Sequence, residues 1–411
     1  MARDFDIVIV GGGIVGAAAA ALLAHEPDLA SLSIAMVEMR PPSAPSDADI
    51  DLRVSAISRA SERLLRVVGA WEEASKRASP YDEMLVWDAA SRVHSRAQLR
   101  FAASSTGEPN LGHIIENRRV QWALYDTAAV RQRVSLLRAE VTALELNGDA
   151  TRVTLSDGRR ISAGLVIGAD GANSRSRELA KLPIDRRSYA QSAFVTHVRT
   201  QHPHRATAFQ RFLPSGPIAF LPLADGRSSI VWTTTPEHAV SLTAMPESEC
   251  ALAIRNASDA VLGDIEVAAP RAQFGLQLIH ARSYCAPGFA LIGDAAHAIH
   301  PLAGQGVNMG LLDVAALVEI LAATVREYGV VAIRDMSALR RYERWRKSEN
   351  ALALGLVDGL NRLFSNDSAT LGILRRSGFA VVNRSDWVKR WLIERALGIG
   401  GHVPELVKRS A

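Results

Sequence analysis

The chain has 411 residues, 48% of them hydrophobic and 22% charged, with a formal net charge of +4. It is longer than one average domain, and the composition excludes a disordered polymer. The mild basicity permits an anionic cofactor, an acidic partner or a membrane surface without selecting one, and no nucleic-acid partner is expected. Cys250 and Cys285 are the only cysteines, too few for a disulfide framework or a cysteine zinc site and in keeping with a reducing compartment. The opening MARDFDIVIVGGG has too short an apolar run for a signal-peptide core. No run of about 18 uninterrupted apolar residues marks a membrane span. A cytoplasmic protein is expected, with contact at a membrane surface left open.

Phe5–Val10 is a β-branched run before three glycines and the alanine-rich 17–24, which predicts strand, tight turn, helix. A second strand is expected over 33–38 (SIAMVE), and the Pro/Ser/Asp-rich 41–51 is a loop. Helices are predicted over 58–68 and 118–130 and a strand over 135–145. Residues 153–155 and 160–161 flank the Asp157-Gly158 hairpin pair, and 165–169 is another buried-type strand. Beyond about residue 186 the pattern changes. Residues 206–212, 218–223 and 228–233, separated by PSG and ADG turns, read as an antiparallel meander. From Asp313 onward helices are expected over 314–325, 337–354, 356–364 and 386–397.

Two glycine-rich stretches carry the chemistry. GGGIVG satisfies G-x-G-x-x-G through Gly11, Gly13 and Gly16. The first glycine permits the turn, the second lets backbone approach a pyrophosphate, and the third lets helix and strand pack closely. The phosphates then meet free N–H groups at a helix N-terminus. Glu38, ending the next strand, stands where an acid binds ribose hydroxyls, which points to NAD or FAD rather than NADP. In LIGDAAHAIHPLAGQGVNMG (291–310), Asp294 after a strand can accept from a sugar or ribityl hydroxyl. Gly304–Asn308 then offers N–H groups at a helix start, suited to a group that gains negative charge on reduction, such as the N1–C2 edge of a flavin. His297 and His300 lack a third metal ligand close in sequence, so no metal is expected. His297 is read either as a packed loop histidine or as a pocket residue.

Taken together, GGGIVG, LVIGADGANSRSR (165–177) and GDAAHAIHPLAGQGVNMGLLD (293–313) resemble the single-component FAD-dependent aromatic hydroxylases of the para-hydroxybenzoate hydroxylase fold. LRVSAIS (52–58), LGHIIENRRVQWAL (111–124), AFQRFLPSGPIAFLPL (208–223) and YERWRKSEN (342–350) are similar, more narrowly, to the ubiquinone-biosynthesis hydroxylase branch. The likeness runs from about residue 5 to 365. It implies an α/β fold, with a Rossmann-like FAD-binding domain (1–80, 110–185 and 272–335) interleaved with an antiparallel-sheet substrate domain (81–109 and 186–271). A C-terminal helical region would occupy 336–411.

The resemblance also implies site residues. Gly11, Gly13 and Gly16 would meet the FAD pyrophosphate and Glu38 the adenosine ribose. Arg53 would lie near the pyrophosphate or flavin, Gln121 would reach the ribityl or phosphate region, and Val141 would meet adenine by its backbone. Asp170 would support FAD and nicotinamide access, and Asp294 would bind ribityl or pyrophosphate oxygens. Gly304, Gln305, Gly306, Val307 and Asn308 would surround the ring. Leu312 and His113 depart from the residue types common in relatives. The W-x-W-x-I-P pattern is missing and no lysine occupies the GDAAH loop, so halogenation is not expected.

The implied reaction is hydroxylation of an electron-rich ring through a C4a-hydroperoxide of the flavin, with O₂ as co-substrate and NAD(P)H or a reductase as electron donor. No side chain can be named as catalytic acid or base. The meander would shield the reaction from water. Arg211 and Phe220 (with Ile218, Pro222 and Phe209), His297 and Pro301 are candidates for the substrate pocket; ordinary sheet core is the other reading of the meander aromatics. A ubiquinone precursor is the implied substrate, with a soluble phenol or polycyclic metabolite as the alternative and a non-catalytic escort protein as a third. Trp387, Trp391 and Leu392, interspersed with Lys389, Arg390 and Arg395, form either a membrane-contact helix or one packed on the FAD domain. Lys408-Arg409 adds terminal charge. Partners expected are an apolar aromatic small molecule and either a membrane surface or a quinone-biosynthesis complex.

Overall fold

A computed structural model of the chain describes residues 3–89, 98–146, 148–298, 305–364 and 385–408. At its centre β1 (Phe5–Val10) pairs in parallel with β2 (Ile34–Val37) on one side and β11 (Arg160–Gly168) on the other. Parallel β8 (Val134–Leu137) and β19 (Phe289–Leu291) extend the sheet at either side. The inner strands are apolar on both faces because both faces are covered; Ile7, Val8 and Ile9 are fully buried. Helix α1 (Ile14–His25) is buried from Gly16 to Ala24, its alanines allowing close approach of the sheet and of α9 (Gln305–Tyr328). By length and composition α9 is apolar enough to cross a bilayer, but 72% of its apolar window is buried inside the protein. It is a core helix.

The second sheet contains β12 (Ile184–Thr200), β13 (Thr207–Leu213), β14 (Gly216–Pro222) and β15 (Ser228–Thr234), flanked by β17 (Ala272–Ala281) and by β5 (Glu83–Asp88) with β6 (Leu99–Ala102). Its pairings are antiparallel except β5 with β13. One face packs Trp87, Phe194, Ile218, Phe220, Ile230 and Trp232 against α7 (Pro236–Ala244) and α8 (Glu247–Ala257). The other face looks back toward the first sheet. A small third sheet of β3 (Val54–Ile57), β4 (Ser79–Tyr81) and β7 (Gly112–Glu116) lies between them. Helix α2 (Arg59–Val67) follows β3, and the short α3 (Trp71–Ala74) follows α2.

Several expectations are corrected. The helix expected over 118–130 is two, α4 (Asn117–Tyr125) and α5 (Ala128–Arg133), because the Thr127 hydroxyl accepts from the Val130 N–H and starts a new helix. The strand expected over 135–145 is β8 and β9 (Val141–Glu145), separated by a corner at Arg138–Glu140. β9 pairs with β10 (Thr151–Leu155), which pairs with β11. Residues 272–281, expected in the FAD-binding part, form β17 and pair with β12 in the second sheet. The helices expected over 337–354 and 356–364 are one, α10 (Met336–Phe364). The last described helix is α11 (Asp386–Ala396).

Candidate functional site

The chain leaves β1 through Gly11, whose φ of +99° favours glycine; a Cβ there would stand 2.7 Å from the Ala169 carbonyl oxygen. At Gly16 a Cβ would fall 1.9 Å from the Gly11 oxygen, so turn and helix can pack only without one. Gly13 differs. It is the N-cap of α1, with no side-chain cap, and a Cβ on it would meet nothing within 4 Å. The space beside Gly13 at the start of α1 is therefore open, and a helix N-terminus without a side-chain cap is the arrangement that receives an anion. The Gly12 peptide is clamped from both sides. Its N–H donates to Glu38 Oε2 (2.7 Å), and its carbonyl accepts from Gln121 Nε2 (2.7 Å) and the Tyr125 hydroxyl (3.1 Å).

The second turn follows β19. Gly293 has φ +58°, and its Cβ would lie 3.0 Å from Val15 Cγ1; a Cβ on Gly310 would lie 2.6 Å from Val15 Cγ2. The two glycine turns, from opposite ends of the chain, thus meet on one side chain of α1. Asp294 is open to a cavity yet deep within the molecule. Its depth pushes the carboxyl up from the ordinary value, against the pull of His297 and Arg53. The cavity, about 460 Å³, is of ligand-site size. At one end it is bounded by Arg53, Asp294, Gly306 and Val307, and along its length by Val195, Gln210, Ala219, Leu221, Val231 and Thr233 of the second sheet. A dinucleotide laid from the Gly13 turn to the start of α9 at Gly306 would bring its far end to that sheet.

The sequence family described as FAD binding domain matches residues 4–350. The ubiquinone hydroxylase UbiL of Rhodospirillum rubrum is 36% identical, over 98% of this chain and 92% of that protein. The 3-demethoxyubiquinol 3-hydroxylase of Escherichia coli is also 36% identical, over 96% and 98%. This chain belongs to the FAD-dependent ubiquinone-biosynthesis hydroxylases. Among solved structures, p-nitrophenol 4-monooxygenase from Pseudomonas putida matches with a TM-score of 0.75 at 18% identity, covering 97% of this chain and 99% of that one. A Diels-Alderase of pyrroindomycin biosynthesis matches with a TM-score of 0.71 at 20% identity, over 97% and 81%. Likeness at that identity shows the fold and not the reaction.

In this hydroxylase the expected cofactor residues beyond the Gly11–Gly16 turn and Glu38 are placed differently from one another. Arg53, Asp294, Gly306 and Val307 border the cavity. Gln121 and Asn308 sit one step behind it. Gln121 holds the Gly12 carbonyl, while Asn308 accepts from the Ser58 N–H (2.9 Å) and Ser61 hydroxyl (2.7 Å) and donates to the Ala56 carbonyl (2.8 Å). Asp170 is likewise turned inward, accepting from the Ser176 N–H and from the Ser174 and Ser176 hydroxyls. Val141 opens β9 with its side chain in the core, just past Leu137, whose carbonyl accepts the Glu38 N–H. Gly304 and the side chain of Gln305 lie outside the described residues, as do His300, Pro301 and Arg409.

Of the pocket expectations Phe209 borders the cavity, and the other described ones need correction. Phe220, Ile218 and Pro222 point away from the cavity, and Phe220 is 1% exposed in the core against α7 and α8. The cavity instead takes their neighbours Ala219 and Leu221, one position along the strand and so on the opposite face. Arg211 is also on the far face, donating to the carbonyls of Asn256 (3.3 Å) and Ala257 (3.0 Å) at the end of α8. His297 is the packed alternative: 1% exposed, off the cavity, with Nε2 bonded at 2.5 Å to Asp313. Of the two departures from relatives, His113 lies beside Glu62 and edge-on to Trp71, and Leu312 packs on the main core. Among the described residues no group of three His, Cys, Asp or Glu is placed to hold a metal.

Sequence reasoning missed the polar groups that hold the turns. Asp313 is fully buried. Its Oδ2 accepts from the Gly293 N–H (3.1 Å) and His297, its Oδ1 from Arg346 Nε (2.8 Å) and Asn350 Nδ2 (3.0 Å). Burial alone would raise this carboxyl; His297 and Arg346 overrule it and hold it down to about 2. Arg177, 2% exposed, donates to the Ala295 carbonyl (2.8 Å) and the Ala172 carbonyl (3.0 Å), tying two loops at the cofactor end.

Proposed function

We propose that this hydroxylase oxidises the aromatic ring of a polyprenyl phenol on the way to ubiquinone, the pathway to which its relatives' names belong. The observation that carries the reading is the cavity wall on the second sheet. Arg53, at the cofactor end, is the one cation among the described lining residues, so no described residue along the sheet would pair its charge with a free carboxylate. An uncharged ring with an apolar tail fits this wall better than a soluble phenolic acid.

Bound FAD would supply the electrons that activate O₂ for transfer of one oxygen atom to the ring, with NAD(P)H or a reductase partner replenishing them. Gly11, Gly13 and Gly16 would admit the pyrophosphate to the α1 N-terminus, Glu38 would accept from the ribose, and the corner before Val141 would border the adenine. Asp294 would accept from the ribityl chain. The α9 N-terminus, from Gln305 to Asn308, would favour negative charge at the ring's N1–C2 edge. Gln121, Asp170 and Asn308 would act through the backbone they hold. Val195, Ala219, Leu221 and Val231 would keep water from the activated oxygen. Tyr81, whose hydroxyl burial pushes up to about 12, stays protonated at the cavity side. A lipid substrate places the enzyme at the membrane periphery of the cytoplasm or in a quinone-biosynthesis complex. Trp387, 75% exposed on α11, supports a surface contact.

The test is oxygenation by the FAD-loaded protein of prenylated phenols beside their unprenylated and carboxylated counterparts, with mass spectrometry of quinone intermediates in a deletion strain. The expected result is a yellow protein that hydroxylates the prenylated compounds, and a strain that accumulates the unhydroxylated ring. Turnover confined to soluble phenols would refute the substrate class, and a colourless protein that takes up no FAD would favour an escort role.

A further inference from the structure

We infer that the buried Asp313–Arg346 pair is a positioning device for the flavin, fixing the loop that carries Asp294 and setting the charge behind the cofactor ring. This rests on the reading above, that the ring lies at Gly306–Val307. The pair joins three segments. Asp313 lies on α9, two turns after Gly306; its carboxylate holds the Gly293 N–H and His297 on either side of Asp294, and Arg346 and Asn350 reach it from α10. Arg346 Nη2 donates in turn to Asn350 Oδ1 at 3.0 Å, so the guanidinium is held from both ends. All four residues are at most 2% exposed. A stability role alone does not account for ions here, since a buried ion pair is seldom worth more than apolar packing of the same shape. What it does provide is a fixed backbone and a fixed local charge beside a group whose own charge changes.

The charge makes a signed test possible. Asp313→Asn removes the anion and leaves Arg346, which favours the electron-rich reduced cofactor. Arg346→Gln removes the cation and leaves Asp313, which disfavours it. Tyr342→Phe deletes another buried contact from α10, the hydroxyl donated to the Leu291 carbonyl at 2.7 Å, without changing charge. The experiment measures FAD dissociation constants and two-electron reduction potentials of the three purified holoproteins against wild type. The expected result is a preference for reduced over oxidised FAD that changes at least tenfold, about 30 mV, upward in Asp313→Asn and downward in Arg346→Gln, with Tyr342→Phe unmoved. Shifts of one sign in both variants, or none, would overturn the inference. Should Asp313→Asn fail to fold, the Arg346→Gln potential decides alone by its sign. If folded charge variants hold no FAD, the inference stands where Tyr342→Phe keeps it and falls where that variant loses it too. Wild-type protein that binds no FAD refutes the functional reading itself, a different outcome.

Discussion

Phe220 and Ala219 are neighbours on β14, yet substituting them should affect different properties. Phe220 faces the core with α7 and α8 and is 1% exposed. A buried phenylalanine removes roughly 150–250 Å² from water, which at about 25 cal/mol per Å² amounts to roughly 4–6 kcal/mol. Alanine retains part of that, so Phe220→Ala should lose about 3–5 kcal/mol of stability. Among stabilities of about 5–15 kcal/mol that is a large fraction. FAD affinity and the position of hydroxylation should not change, because the ring does not reach the cavity. Ala219 borders the cavity. A phenylalanine there should leave stability within about 1 kcal/mol and FAD bound, while turnover of the substrate falls more than tenfold for want of space. Urea unfolding followed by tryptophan fluorescence reads the first effect, since Trp87 and Trp232 lie in the same core as Phe220; steady-state oxygenation reads the second. A Phe220→Ala protein as stable as wild type with an altered substrate range would refute the assignment of faces. So would an Ala219→Phe protein that loses stability but not activity.

Two further outcomes are expected. Gly11→Ala should lose both stability and FAD, since its φ of +99° and the 2.7 Å approach to Ala169 exclude a Cβ, whereas Gly13→Ala, with open space around it, should fold normally and lose only FAD affinity, by more than tenfold; melting curves with and without FAD separate the two. The Asp294 carboxyl is raised by burial above its ordinary 3.8, so the folded state binds that proton more tightly than the unfolded chain and stability falls as pH rises from 3.8 through the raised value. Apo Asp294→Asn should therefore melt above apo wild type at neutral pH and converge with it below that window, while binding FAD more weakly; a gap independent of pH would contradict the burial of this group.

What was legible in the chain depended on how local the cause was. Gly11, Gly13 and Gly16 answer to a backbone turn within six residues, and Glu38 to the end of the next strand, so spacing alone predicts that turn and that position. The facing of β14 was not legible. One face packs on helices and the other lines an apolar cavity, so Ile218, Ala219, Phe220 and Leu221 show none of the alternation that marks a half-solvated strand. Asp313 closes a recognisable motif, but its partners Arg346 and Asn350 come from another helix, and no sequence spacing encodes that meeting. His297 had two readings, and the Asp313 carboxylate decides for the packed one. The break before α5 was present as Asp126-Thr127, a helix-start pair inside a continuous helical pattern.

The meeting of Gly293 and Gly310 on Val15 has a consequence during synthesis. A nascent chain emerges with its N-terminal turn and α1 long before residues 293–310 leave the ribosome. Until they do, Val15 lacks the close approach of Gly293 and Gly310. A flavin ring held at Gly306–Val307 would therefore find its site complete only after translation of three quarters of the chain, and a product truncated before Gly310 is expected to keep the nucleotide fingerprint yet lose the flavin.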